Sequence, residues 1–281
     1  MKICIRPHDV GKASSFELGK KINEMGFDGV QLAIAKAIEG QSGSPETLTE
    51  EVAKEITKGF TDNNVDVALL GAYFNPVHSN EQKVKDGAAK YADHLKKAHL
   101  FGTKYVASET GSYNDDKWTY NPKNQTDSAL AQVTNIFKPL VETAKEYDSF
   151  AVVEGAWGHC MFSPEQMLRL FKNIDNGHMR LTLDLYNYLY TGNYEKRFEI
   201  FDTALDLFNE KIVVFHIKDF LPTKDEETGE DKLVQVQIGT GIMGWDILLP
   251  KIKKLYPNGI LVFEGVKNPI ESLAFVKKNL I

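Results

Sequence analysis

The strongest constraint in this sequence is a rhythm. Short apolar or β-branched runs alternate with longer amphipathic ones, eight times from end to end. The short runs cover residues 3–6, 29–34, 66–73, 103–109, 150–154, 180–184, 211–218 and 259–264. After each, apolar residues three and four apart predict helices over 16–25, 48–63, 82–101, 129–147, 163–174, 194–208, 246–255 and 269–278. Local stop and start signals agree. Thr47 or Thr49 can cap the second helix, Ser163-Pro164 opens the fifth, and Gly102 closes the third. Strict alternation of strand and helix predicts a parallel α/β architecture. Eight such pairs in 281 residues match a single (β/α)8 TIM barrel. An open doubly wound sheet is the alternative, but no glycine-rich dinucleotide fingerprint follows the first run. No linker or composition break divides the chain, so one domain is expected over residues 1–281.

A chain of this length buries roughly three quarters of its unfolded surface and needs no covalent staple. Its two cysteines, Cys4 and Cys160, are too few for a disulfide framework and lack zinc-finger spacing. A reducing, cytoplasmic setting is expected. No apolar run approaches about 18 residues, so no membrane-spanning helix and no membrane partner are expected. The opening MKICIRPHDV reads as a strand, not as a signal peptide. The 33 basic and 39 acidic residues leave a formal net charge of −6, with a pI near 5.7. That balance argues against a nucleic-acid partner.

The chemistry is concentrated in the last four strands. Each is apolar until its C-terminal end and then carries one potential metal ligand. These are Glu154 in VVEG, Asp184 in TLDL, His216 in FHIKD and Glu264 in VFEG. Side chains alternate along a strand, so Ile212, Val214 and His216 share a face, as do Ile260, Val262 and Glu264. If those faces point inward, the four groups meet on the barrel axis at the C-terminal rim, where barrel enzymes keep their active sites. One such residue alone is ordinarily a solvated or hydrogen-bonded side chain. Four at matching positions point to a shared site. Three carboxylates would repel one another unless protonated or neutralised by a cation. An oxygen-rich set with one imidazole suits a hard divalent ion: manganese first, with magnesium, cobalt and zinc as alternatives.

The motifs VVEGAWGH, LTLDLYNYL, FHIKDF and LVFEG resemble those of the xylose isomerase-like barrel superfamily, specifically its sugar phosphate isomerase/epimerase group. The likeness spans essentially the whole chain. It implies that Glu154, Asp184, His216 and Glu264 bind one divalent metal, and that Glu154 and Glu264 exchange protons with the substrate. It also implies a small carbohydrate substrate, and it allows a homo-oligomer. Two positions depart from the ketose 3-epimerases of this superfamily. Asn187 stands where they carry a His, and Lys218-Asp219 follows His216 where an Arg is usual. The class of chemistry therefore carries over further than the substrate does.

Other rim positions are candidates for touching the sugar: Arg6 and His8 after the first strand, His78 after the third, Glu109 at the fourth, Trp157 and His159 after the fifth. Lys218 shares a face with His216 and can stabilise an oxyanion, hold a phosphate, or simply pair with Asp184. Gly239-Thr240-Gly241 can offer backbone N–H groups to an anion, though a flexible loop is the plainer reading. Residues 224–232 read as a charged hairpin or lid, or as a solvated loop. His94, His99 and His178 are expected in solvent. The expected reaction is proton abstraction next to a carbonyl through an enediolate, giving isomerisation or epimerisation. The alternatives are keto-inositol dehydration, an AP-endonuclease-like nuclease, and a non-catalytic sugar binder.

Overall fold

The computed structural model describes residues 1–280. Eight parallel strands close into a barrel. They are β1 (Lys2–Ile5), β2 (Gly29–Leu32), β3 (Asp66–Gly71), β4 (Tyr105–Glu109), β5 (Phe150–Glu154), β6 (Met179–Asp184), β7 (Ile212–Ile217) and, after an inserted hairpin, β10 (Ile260–Phe263). β10 pairs with both β7 and β1, which seals the cylinder. The hairpin strands are β8 (Asp219–Lys224) and β9 (Asp231–Val236), paired antiparallel outside the barrel. The charged segment around residues 224–232 is thus the tip of a hairpin.

The helices begin where side chains satisfy their first N–H groups. Ser14 and Glu17 form a reciprocal capping box. Thr49, not Thr47, caps helix Glu50–Thr61, and Ser163 caps Pro164–Ile174. Helix Glu81–Lys97 tightens into a 3-10 turn over Ala98–Phe101, and Gly102 ends it in the left-handed region. Helix Asp127–Glu146 runs through Pro139.

Two apolar layers result. The larger lies between strands and helices. The smaller fills the barrel and includes Cys4, Ala107, Val152, Val214 and Val262. This parity positions the site: Glu154 follows Val152 by two residues, His216 follows Val214 and Glu264 follows Val262, so all three continue the inward face. The pairing of β2 with β3 shifts register between Val30 and Gln31. Both cysteines are buried thiols. His99 is exposed and His178 half-buried. His94, expected in solvent, is fully buried, because helical phase places it between Tyr91 and Leu95 on the core face rather than with its lysine neighbours.

Candidate active site

Glu154, Asp184, His216 and Glu264 converge at the C-terminal rim. One ligand atom from each lies within 4.8 Å of every other. His216 Nδ1 is the hub. It sits 3.3 Å from Glu154 Oε1, 3.2 Å from Asp184 Oδ2 and 2.8 Å from Glu264 Oε2. Glu154, Asp184 and His216 are buried, whereas Glu264 is part-exposed toward the open side. A donor set of three carboxylates and one ring nitrogen, closely spaced and largely dry, fits a divalent ion.

A second layer orients these groups. Gln31 Oε1 accepts from His216 Nε2 at 2.9 Å, and the Gln31 amide in turn donates to the Tyr73 hydroxyl. In the neutral ring that arrangement puts the proton on Nε2 and leaves Nδ1 free for a cation. Sequence reading missed both residues. The available signal was a single amide inside the apolar run GVQLAI. Asn187 donates Nδ2 to Glu154 Oε1 at 2.7 Å, and its backbone N–H donates to Asp184 Oδ1 at 3.0 Å. Lys218 Nζ lies 2.7 Å from Asp184 Oδ2, 2.8 Å from Glu264 Oε1 and 3.2 Å from Asn187 Oδ1. Arg6 reaches Glu264 Oε1 at 2.9 Å and is anchored by Asp9.

The charges are strongly unequal. Burial opposes ionisation of Glu264, but Lys218, His216 and Arg6 outweigh it and hold this carboxyl well below its ordinary range. Burial likewise opposes ionisation of Asp184, and Lys218 and His216 overcome it. For Glu154 burial wins and its pKa rises, despite His216. His216 is raised well above an ordinary histidine: Glu154 and Glu264 outweigh the effect of burial. Without a metal, the cluster is thus neutralised from within by an imidazolium and an ammonium.

From the cluster, Glu264 opens into a cleft of about 860 Å³, lined also by Glu109, His159, Asn187, Tyr186 and loop residues. Glu109 is paired in register with Glu154. Burial, then Glu154 and Glu264, push it up to about 8. His159 Nδ1 approaches Glu109 Oε2 at 3.3 Å without hydrogen-bond alignment, and burial lowers His159 to about 4. Trp157 packs face to face between Tyr120 and Tyr190. His78 is not brought to the cluster; its two ring nitrogens face Asp115 and Asp116. His8 is half-buried behind Arg6 and pushed to about 4 by burial.

The Gly239–Gly241 segment already has its anion. Asp219 Oδ1 accepts from Phe220 and Met243 N–H at 2.9 and 3.0 Å. Its Oδ2 accepts from Gly239 and Gly241 N–H at 2.9 and 3.0 Å. A Cβ at Gly241 would run into that carboxylate, so the close approach requires glycine. A further cavity of about 530 Å³ opens at the opposite end of the barrel, near Lys2, Asp66 and Ile260, away from the cluster.

Fold and site define a (β/α)8 barrel whose C-terminal rim carries a carboxylate–imidazole cluster able to hold one ion. The chain belongs to the xylose isomerase-like TIM barrel family, whose model matches residues 20–278. No curated protein matches the sequence significantly. Among solved structures it is similar to a xylose isomerase-like TIM barrel protein from Mycobacterium smegmatis in complex with magnesium, with a TM-score of 0.74 and 13% identity over 100% of this chain and 98% of that one. It is also similar to a D-tagatose 3-epimerase-like protein, at 0.73 and 19% over 100% and 97%. A third likeness is to 3-keto-D-glucoside 4-epimerase from E. coli, at 0.69 and 17% over 99% of both chains. At these identities the likeness is one of fold.

Proposed function

We propose that this protein is a divalent-metal-dependent sugar isomerase or epimerase that moves a proton next to a carbonyl. The convergence of Glu154, Asp184, His216 and Glu264 on one point carries the reading. These four residues hold the metal, with manganese the best match to an oxygen-rich set containing one imidazole. The bound ion supplies Lewis acidity toward the substrate's carbonyl and hydroxyl oxygens. Glu154 and Glu264 stand on well-separated strands, β5 and just beyond β10, and so approach a sugar from different sides. One takes the carbon-bound proton to give the enediolate, and the other returns a proton at the neighbouring carbon or the opposite face. Arg6, Glu109, His159, Asn187 and Lys218 position the sugar or its acids. His78, turned toward Asp115 and Asp116, contributes from the rim at most. The epimerase names among the structural neighbours support the class.

One observation favours a second reading, dehydration of a keto-sugar such as a keto-inositol. Glu109 faces the cleft beside Glu154, and burial, then Glu154 and Glu264, push its carboxyl up, which suits it to giving a proton to a departing hydroxyl. The test is incubation with Mn2+ and a panel of ketoses, keto-acids and inososes in D2O. Deuterium in recovered substrate or in an isomer supports the first reading; loss of water supports the second. Neither outcome with any member, or activity unchanged in Glu264→Gln, would sink both. Tight retention on heparin at low salt would instead revive a nuclease.

A further inference from the structure

The cleft above the cluster has two chemically different ends. At its floor stand Glu264, Asn187 and Glu109. Toward the mouth, Tyr120, Trp157 and Tyr190 come from the loops after β4, β5 and β6 and stack in sequence. Tyr120 and Trp157 lie 4.8 Å apart at 16°, and Trp157 and Tyr190 lie 4.3 Å apart at 20°. Three rings locked against each other make a rigid apolar wall, and Tyr120 at its end is 41% exposed. At about 860 Å³ the space is near the top of the roughly 300–1,000 Å³ range of sites that enclose drug-sized molecules.

The same cleft is poor in free positive charge. Among the described residues lining it, Lys232 is the one Lys or Arg, and it is paired with Asp225 at 2.9 Å. Lys218 and Arg6, beside Glu264 but outside the lining, are paired with Asp184, Glu264 and Asp9. The N–H groups of Gly239 and Gly241 are taken by Asp219. A phosphate monoester brings about −1.5 to −2 charges and wants several donors. It would find two carboxyl groups in the lining instead.

We propose that the cleft takes an uncharged carbohydrate bearing a second ring or an aglycone, with the extension lying along the Tyr120–Trp157–Tyr190 wall, rather than a sugar phosphate. The inference rests on the reading of the cluster as a sugar site. It is tested by binding, so that it stands or falls apart from turnover. Saturation-transfer NMR on the full chain loaded with Mg2+ compares 4-nitrophenyl β-D-glucopyranoside, methyl β-D-glucopyranoside and glucose 6-phosphate. The aryl glucoside should bind at least about tenfold more tightly than the phosphate. Tyr120→Ala should weaken it by roughly twofold to tenfold, the worth of one aromatic contact, and leave the methyl glucoside unchanged. Glucose 6-phosphate binding as tightly as the aryl glucoside, or an aryl glucoside indifferent to Tyr120→Ala, overturns the proposal, as does failure of all three to bind. Binding as expected without deuterium exchange across the sugar panel would remove the isomerase reading and leave the ligand class standing.

Discussion

Gln31 Oε1 sits 2.9 Å from His216 Nε2, so the imidazole turns its other nitrogen, Nδ1, to the three carboxylates. The amide is held in turn by the Tyr73 hydroxyl. Partners of this kind fix the tautomer and orientation of a metal-binding histidine, and losing one typically costs 10–100-fold in metal affinity. Gln31→Leu should therefore weaken Mn2+ binding, measured by calorimetry, by about that factor while the fold survives. Unchanged affinity would mean that Gln31 does not set the geometry of His216.

Lys218 is buried between Asp184 and Glu264, an internal counter-charge for a crowded acidic site. Removing one partner of a buried ion pair costs about 3–5 kcal/mol, because the other charges stay behind unpaired. Lys218→Met should lower the stability of the metal-free protein by that order. A divalent ion replaces the missing charge, so millimolar Mn2+ should recover much of the loss. Melting curves in EDTA and in Mn2+ give the comparison; an equal loss in both would show that packing, not charge, is what Lys218 supplies.

The four-residue cluster was legible because strand parity is a rigid rule. Val152, Val214 and Val262 announce an inward face two residues before Glu154, His216 and Glu264. Where the sequence was misleading, the competing rule was also local. His94 stands in a lysine-rich stretch, yet its phase with Tyr91 and Leu95 takes it into the core. The Gly239–Gly241 loop looked open to an outside anion because Asp219, twenty residues earlier, meets it only through the hairpin between them. Gln31 was invisible for a different reason: one amide in a strand carries no periodicity, and its partner His216 is 185 residues away.

Asp219 gathers four backbone N–H groups, from Phe220, Gly239, Gly241 and Met243. Next door, Trp245 Nε1 donates to the Lys218 carbonyl at 2.8 Å, tying the same loop to the site lysine. Asp219→Ala leaves those donors without an acceptor, at an expected cost of about 2–4 kcal/mol. Hydrogen exchange should accelerate at residues 239–243 before it does in the barrel strands. Gly241→Ala should loosen the same segment from the opposite side, since its Cβ meets the Asp219 carboxylate. Native-like protection of 239–243 in both variants would refute this account.

His94, in the core away from the site, gives the protein a built-in acid sensitivity. Nδ1 is tied to the Lys90 carbonyl at 2.9 Å, Nε2 has no partner, and burial pushes the pKa down to about 4. In the unfolded chain the ring titrates near 6.5. Below that value the unfolded chain takes up a proton that the native state refuses, so stability falls as pH drops from about 6.5 to about 4 and levels off beneath. Each pH unit within the window costs about 1.4 kcal/mol for one such group. His8 and His159, both also near 4, add to the slope, so no single variant removes it. His94→Gln should reduce the slope of unfolding free energy against pH by about one proton's worth between pH 6.5 and 4, read from urea titrations in metal-free buffer. A slope identical to that of the parent protein would mean that His94 is protonated in place or solvated in the native state.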